Sequence, residues 1–315
     1  MASLGSLFFM NKSSNILPIS PCFTLLADSA GKRELIDKLF HGLLLVSALI
    51  GVASLLFIGV FIVKEAFPAF EFSGFFGLVL GNEWLPPALY GILPMILASL
   101  WSTLIAVAIG VPIGVLAAIF LAEIAPDWLT RLMRPAIELL AGIPSVVYGF
   151  FGLVVIVPLL EEWFSLPSGA TILAASIVLA IMILPTVITV SETSLRALPT
   201  HLKEGALALG ASKIYTIFYV LVPAARSGIS TGVILGIARA VGETMAVIMV
   251  MGNAPAMPEG VMEAARSMTA NIALEMSYAT GIHASSLYAT GVILLVFIMI
   301  LNSALMYFNR QEANK

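Results

Sequence analysis

Six apolar runs decide what this chain can fold into: about His41–Val63, Ile92–Leu121, Ile137–Leu160, Ala170–Val190, Gly228–Gly252 and Ser286–Phe308. A helix needs ~20 apolar residues to cross a bilayer, and each run is long enough. The material between them is too short for a separate soluble domain. Composition agrees. Of 315 residues, 60% are hydrophobic and 10% charged, against about 25% charged in an ordinary soluble domain. The expected fold is all-α, a polytopic membrane protein with six transmembrane helices. Residues 1–35 form a tail, 36–309 the six-span domain and 310–315 a second short tail. The single Cys22 excludes a disulfide framework and a cysteine-based metal site. No metal and no cofactor is expected.

Charge sets the orientation. Twelve of the 15 Lys and Arg residues fall on one side of these spans, Lys64 and Arg266 fall on the other, and Arg239 lies within a span. Basic loops stay in the cytoplasm, so both termini are expected there. Loops 64–90 and 253–285 are then periplasmic, and the connection 191–227 is cytoplasmic. Leu4–Met10 has no basic residue before it, unlike a secretory signal, and residues 1–35 are expected to be a cytoplasmic tail or a short surface-lying segment. Trp84 and Tyr90 are placed like an aromatic belt. Pro112, between Gly110 and Gly114, predicts a kink or break in the second span.

One stretch of the cytoplasmic connection stands out, Glu204–Pro223, EGALALGASKIYTIFYVLVP. Gly210 suits the left-handed turn that ends a helix, and Ser212 suits the cap of the next. Two short helices with a bend are predicted. This resembles the EAA loop of bacterial ABC importer permeases. Here the Glu-Ala-Ala triplet of that loop is Glu204-Gly205-Ala206, followed by Gly210 and by Val222-Pro223, with Gly205 in place of the middle alanine. The resemblance implies that Glu204, Gly205, Ala206 and Gly210 couple the chain to an ATPase.

Two intramembrane charges are candidates for chemistry. Arg239 lies ~17 Å along the fifth span from Gly228, near the middle of a ~30 Å core. A central Arg costs at least about 2.5–3.5 kcal/mol on insertion scales, so it is a functional candidate. Glu243, four residues on, would share its face. On this reading Arg239 attracts an anion, and Glu243 holds or gates it; the alternative is an Arg–Glu pair that only pins two helices. In the third run, Gly142-Ile143-Pro144-Ser145 interrupts the apolar pattern, and the span either breaks or kinks there. Ser145 and the following amides would then face an anion, with Tyr148 a weaker candidate; the alternative is a plain proline kink. Val261, Ala265, Met268, Ile272 and Met276 recur at helical spacing and predict an amphipathic helix on the outer surface. His41, His201 and His283 read as lone surface histidines. The chain holds no Gly-x-x-x-x-Gly-Lys-Ser/Thr, no His-Glu-x-x-His and no nucleophile elbow, so it is not expected to be an enzyme.

Ala238–Val247, ARAVGETMAV, with Gly252-Asn253, resembles the fifth-span signature of PstC-type phosphate ABC transporter permeases. Gly142–Gly149, GIPSVVYG, is similar to the third-span signature of that system's two permeases. The resemblance implies a type I ABC importer permease fold and a phosphate path lined by Arg239 and Glu243. It further implies a PstA-like permease as heterodimer partner, two PstB-like ATPase subunits at the cytoplasmic loop and a PstS-like phosphate-binding protein outside, with no nucleic-acid partner. The nearest rivals are a molybdate or sulfate importer and the PstA-type sister subunit. A proton-coupled secondary transporter using Glu243, and a signalling scaffold, are the rivals from other classes.

Overall fold

The computed structural model describes residues 21–313, so residues 1–20 of the expected tail, with Lys12, lie outside the described residues. Two units divide the chain, residues 1–60 and 61–315. The first contributes the opening of helix α1 (Pro21–Ser73), whose side chains from Lys38 to Val60 are almost all exposed. Residues 21–35 are therefore helical in backbone.

The second unit carries the rest. Helix α1 runs ten residues beyond the expected end of the first span, to Ser73. Helix α2 (Phe75–Leu80) and a hairpin of β1 (Trp84–Leu85) and β2 (Leu89–Tyr90) follow. Helix α3 (Leu93–Ile119) runs unbroken through Pro112 and ends in a π-helical turn, Phe120–Ile124. Helix α4 (Asp127–Gly142) takes the first residues of the expected third run; that span begins only at Ser145. It consists of α5 (Ser145–Phe151), a π turn and α6 (Val157–Phe164). Helix α7 (Ile172–Arg196) is the most buried of the spans. Helix α8 (Thr200–Ala208) precedes α9 (Lys213–Thr216), a π turn and α10 (Val222–Ala224). Then come α11 (Arg226–Val241), α12 (Met245–Val250), α13 (Met268–Glu275) and α14 (Ile282–Ala313).

Among the described residues five helices are long and apolar enough to cross a bilayer, and a sixth crossing follows if Lys213–Ala224 and Arg226–Val241, bent by 70°, count as one. The 70° bend lies just before the expected fifth run, Gly228–Gly252, which itself departs from a straight helix at the break after Val241.

Small residues explain why α7 is central. In hydrocarbon there is no hydrophobic drive between helices, so close backbone packing must hold them. A Cβ on Gly110 of α3 would stand 2.7 Å from the Ile183 side chain, and one on Gly114 2.9 Å from Val187. Helix α11 offers Gly228, Gly232 and Gly236, four apart and on one face, against Ser194, Val190 and Val187. Val187 is thus gripped from both sides, by Gly114 and Gly236. We expect Gly236→Leu to force α11 off α7 at a cost of about 1–3 kcal/mol or more, read as a lower unfolding midpoint in detergent.

The two ends of α3 and α7 define two faces. At one end Trp84 reaches Glu275, and the amides of Ile172 and Leu173 donate to Glu263 and Val261 carbonyls. At the other, Arg196 donates to the Leu121 carbonyl and Lys203 pairs with Glu123.

Candidate functional site

The two broken spans meet. Ile143 and Pro144 are extended, and Pro144 has no N–H to continue the helix, so α4 stops at Gly142 and α5 restarts at Ser145. Helix α11 ends at Val241. The Glu243 carboxylate then accepts from the Ala246 amide at 3.1 Å and so caps α12. Helix α5 packs on α12 at Gly149, where a Cβ would stand 2.8 Å from Ala246 Cα and 2.9 Å from Met249 Sδ. The two motifs singled out in sequence, 142–149 and 238–247, are therefore neighbours in space.

Arg239 lies in the last turn of α11, where a cation favours the carbonyl end of the helix. It is exposed, and its guanidinium has no hydrogen bond or ion pair among the described residues. Its charge acts on Tyr148. The expected pairing with Glu243 does not form, because the helix that would have stacked residues 239 and 243 ends two residues after Arg239. Ser145 is half-buried at the first turn of α5. Tyr148 is buried, and its hydroxyl donates to the Leu140 carbonyl at 2.7 Å. That proton is taken, so the phenol has only lone pairs to offer an anion. The four residues thus differ: Arg239 free, Glu243 committed to α12, Ser145 at a helix start and Tyr148 committed to α4.

The expected outer amphipathic helix is shorter than its apolar spacing suggests. Only 268–275 is helical; Ala265 instead bridges to Gly252, and Ala265 and Met268 are fully buried. The Ser99 hydroxyl accepts from the Met268 amide, and Thr269 donates to the Glu243 carbonyl at 2.9 Å. This segment therefore packs inward and touches the break beside Arg239.

Helix α8 is the reverse. None of its residues is buried, Gly205 has open space around it, and Leu209 is 91% exposed. Glu204 and Gly205 are exposed and Ala206 half-buried. Gly210 turns the chain at φ 88°, and the Ser212 hydroxyl accepts from the Tyr215 amide. Leu202, with the Lys203–Glu123 pair, ties α8 to the body.

Sequence reasoning missed two polar hubs. Glu192, buried in α7, accepts from Arg134 of α4 and Arg196 of its own helix. The Glu192–Arg196 spacing of four was a readable signal. Glu275, also buried, takes Arg266, His283 at 2.7 Å and Trp84 at 2.9 Å. His283 is thus a half-buried partner, not a lone surface histidine, and no local spacing announces a Trp 191 residues away. Burial, and second the Glu275 charge, push the Tyr90 phenol up from its ordinary value. Among the described residues no group of three His, Cys, Asp or Glu is placed to hold a metal.

Residues 110–313 match the family model of the binding-protein-dependent transport system inner membrane component. A probable ABC transporter permease protein, YqgH of Bacillus subtilis, is 46% identical over 66% of this chain and 68% of its own length. The phosphate transport system permease protein PstC of Pasteurella multocida is 35% identical over 80% of this chain and 85% of its own. In structure, a chain of the MetNI methionine ABC transporter in an inward-facing conformation superposes with TM-score 0.57 at 19% identity, over 73% of this chain and 99% of that one. That likeness concerns the fold: type I importer permeases share it. A multi-pass inner membrane protein of this kind works with an ATPase and a binding protein, and the chain belongs to the binding-protein-dependent inner membrane components, the permease subunits of ABC importers.

Proposed function

We propose that this chain is the PstC-type permease of a phosphate importer. The observation that carries the reading is Arg239, a guanidinium without a partner among the described residues, at the meeting point of two broken spans. Its fork matches phosphate oxygens two at a time. The relatives named as phosphate permeases support the choice of anion. Ser145 is the second group proposed for the path. Glu243 acts indirectly, by capping α12, and Tyr148 by holding α5 to the end of α4. A PstA-like permease completes the path, two PstB-like subunits hydrolyse ATP beneath α8, and a PstS-like protein delivers phosphate at the α13 end. Both termini and α8 are cytoplasmic. The chain itself catalyses nothing.

Motion of α8 reaches the site through α9–α10 and α11. Phosphate drives the cycle only through different affinities for the two states. Co-purification with the candidate ATPase, followed by phosphate uptake in vesicles with and without it, tests this reading. Uptake that needs the ATPase and prefers phosphate over sulfate and molybdate is expected; uptake driven by a proton gradient without ATP would overturn it. A narrower check concerns α8. Because Gly205 has free space around it, Gly205→Leu is expected to leave the unfolding midpoint unchanged while abolishing ATPase co-purification or coupled uptake.

A further inference from the structure

The helix that follows Gly210 has two unlike faces. Thr216, Ile217, Leu221 and Ala225 are buried, the last three packing with Ile119 and Leu195. Opposite them, Ile214, Tyr215, Phe218 and Tyr219 are 69%, 53%, 43% and 69% exposed. They form i, i+4 pairs on one side of the helix, and the rings of Tyr215 and Tyr219 stack at 4.6 Å. Neither phenol hydroxyl has a hydrogen-bond partner among the described residues.

Direction and charge say what covers this face. Lys213–Ala224 is bent 70° from Arg226–Val241. Spanning helices tilt by about 20° on average, so a helix at this angle to a span runs close to the plane of the membrane. No Asp or Glu occurs between Glu204 and Glu243, while Lys213 and Arg226 stand at the two ends of the helix. An in-plane helix with apolar and phenolic rings on one side and cations at its ends matches the headgroup layer. Rings reach the acyl boundary, hydroxyls stay among headgroups and cations meet lipid phosphates.

We propose that Lys213–Ala224 is an interfacial helix, with the Ile214, Tyr215, Phe218 and Tyr219 face seated in the headgroup layer of the bilayer, so that α11 and α12 together make the fifth crossing. Helix α8 then stands on the water side of a strut held against the membrane surface. Movement of α8 would reach α11 by sliding and turning that strut in the membrane plane.

The test uses the assembled transporter in nanodiscs containing anionic lipid, with Cys22→Ser and a spin label on Tyr219→Cys. Its collisions with dissolved oxygen should exceed those with a water-soluble nickel chelate severalfold. A label on Ile214→Cys, one turn earlier on the same face, should agree. Preference for the chelate would overturn the proposal by placing this face in water. Protection from both reagents would overturn it by placing the face against a protein partner.

Discussion

Replacing Arg239 with Ala is expected to reduce phosphate uptake about 100-fold or more. A hydrogen bond to a charged group contributes about 1.5–3 kcal/mol, so losing a two-pronged contact removes roughly 3 kcal/mol, and 1.4 kcal/mol is tenfold. The same change should leave the unfolding midpoint nearly untouched, since the guanidinium has no partner among the described residues. Arg239→Lys keeps the charge but loses the planar fork and should fall between the two. Uptake measured beside a melting curve separates this from a damaged fold. Arg239→Ala with normal uptake would remove Arg239 from the path.

Arg266→Ala is expected to act the other way, on stability first. The Arg266–Glu275 pair is largely buried, with side chains 14% and 8% exposed. Arg266 also donates to the Asn253 carbonyl and to Asn271. Removing one partner of a buried pair costs about 3–5 kcal/mol, and the low end is expected here because Trp84 and His283 still bond to Glu275. The midpoint of unfolding in detergent should drop well below that of Gly205→Leu. A double change to Arg266→Ala, Glu275→Ala should be less harmful than the sum of the single ones, because the contact between the two is lost only once. Equal and additive losses would mean that the two side chains do not depend on each other.

Local features carried much of the fold into view. The apolar runs named the spans because length against bilayer thickness is a property of the sequence alone. Gly210 and Ser212 announced the bend after α8 because both act within one turn. Helix ends set by tertiary contact were not legible. Arg239 and Glu243 read as stacked neighbours only if the helix continues, and Gly242 ends that turn. The 261–276 spacing read as one helix, but Ala265 is drawn into a bridge with Gly252 and its neighbour Arg266 into the Glu275 hub. The hub itself joins residues far apart in sequence, so nothing in one window foretells it. The glycines at 228, 232 and 236 recur every four residues, but what they approach is a property of α7.

The most direct test of the account places a cysteine at Arg239 in the Cys22→Ser background and treats the assembled transporter with a charged, membrane-impermeant thiol reagent. If position 239 lines a path that opens to each side in turn, the reagent should reach it from the α13 end in one nucleotide state and from the α8 end in the other. No reaction in either state, together with rapid labelling by a lipid-soluble maleimide, would show that the position faces hydrocarbon and would contradict the account.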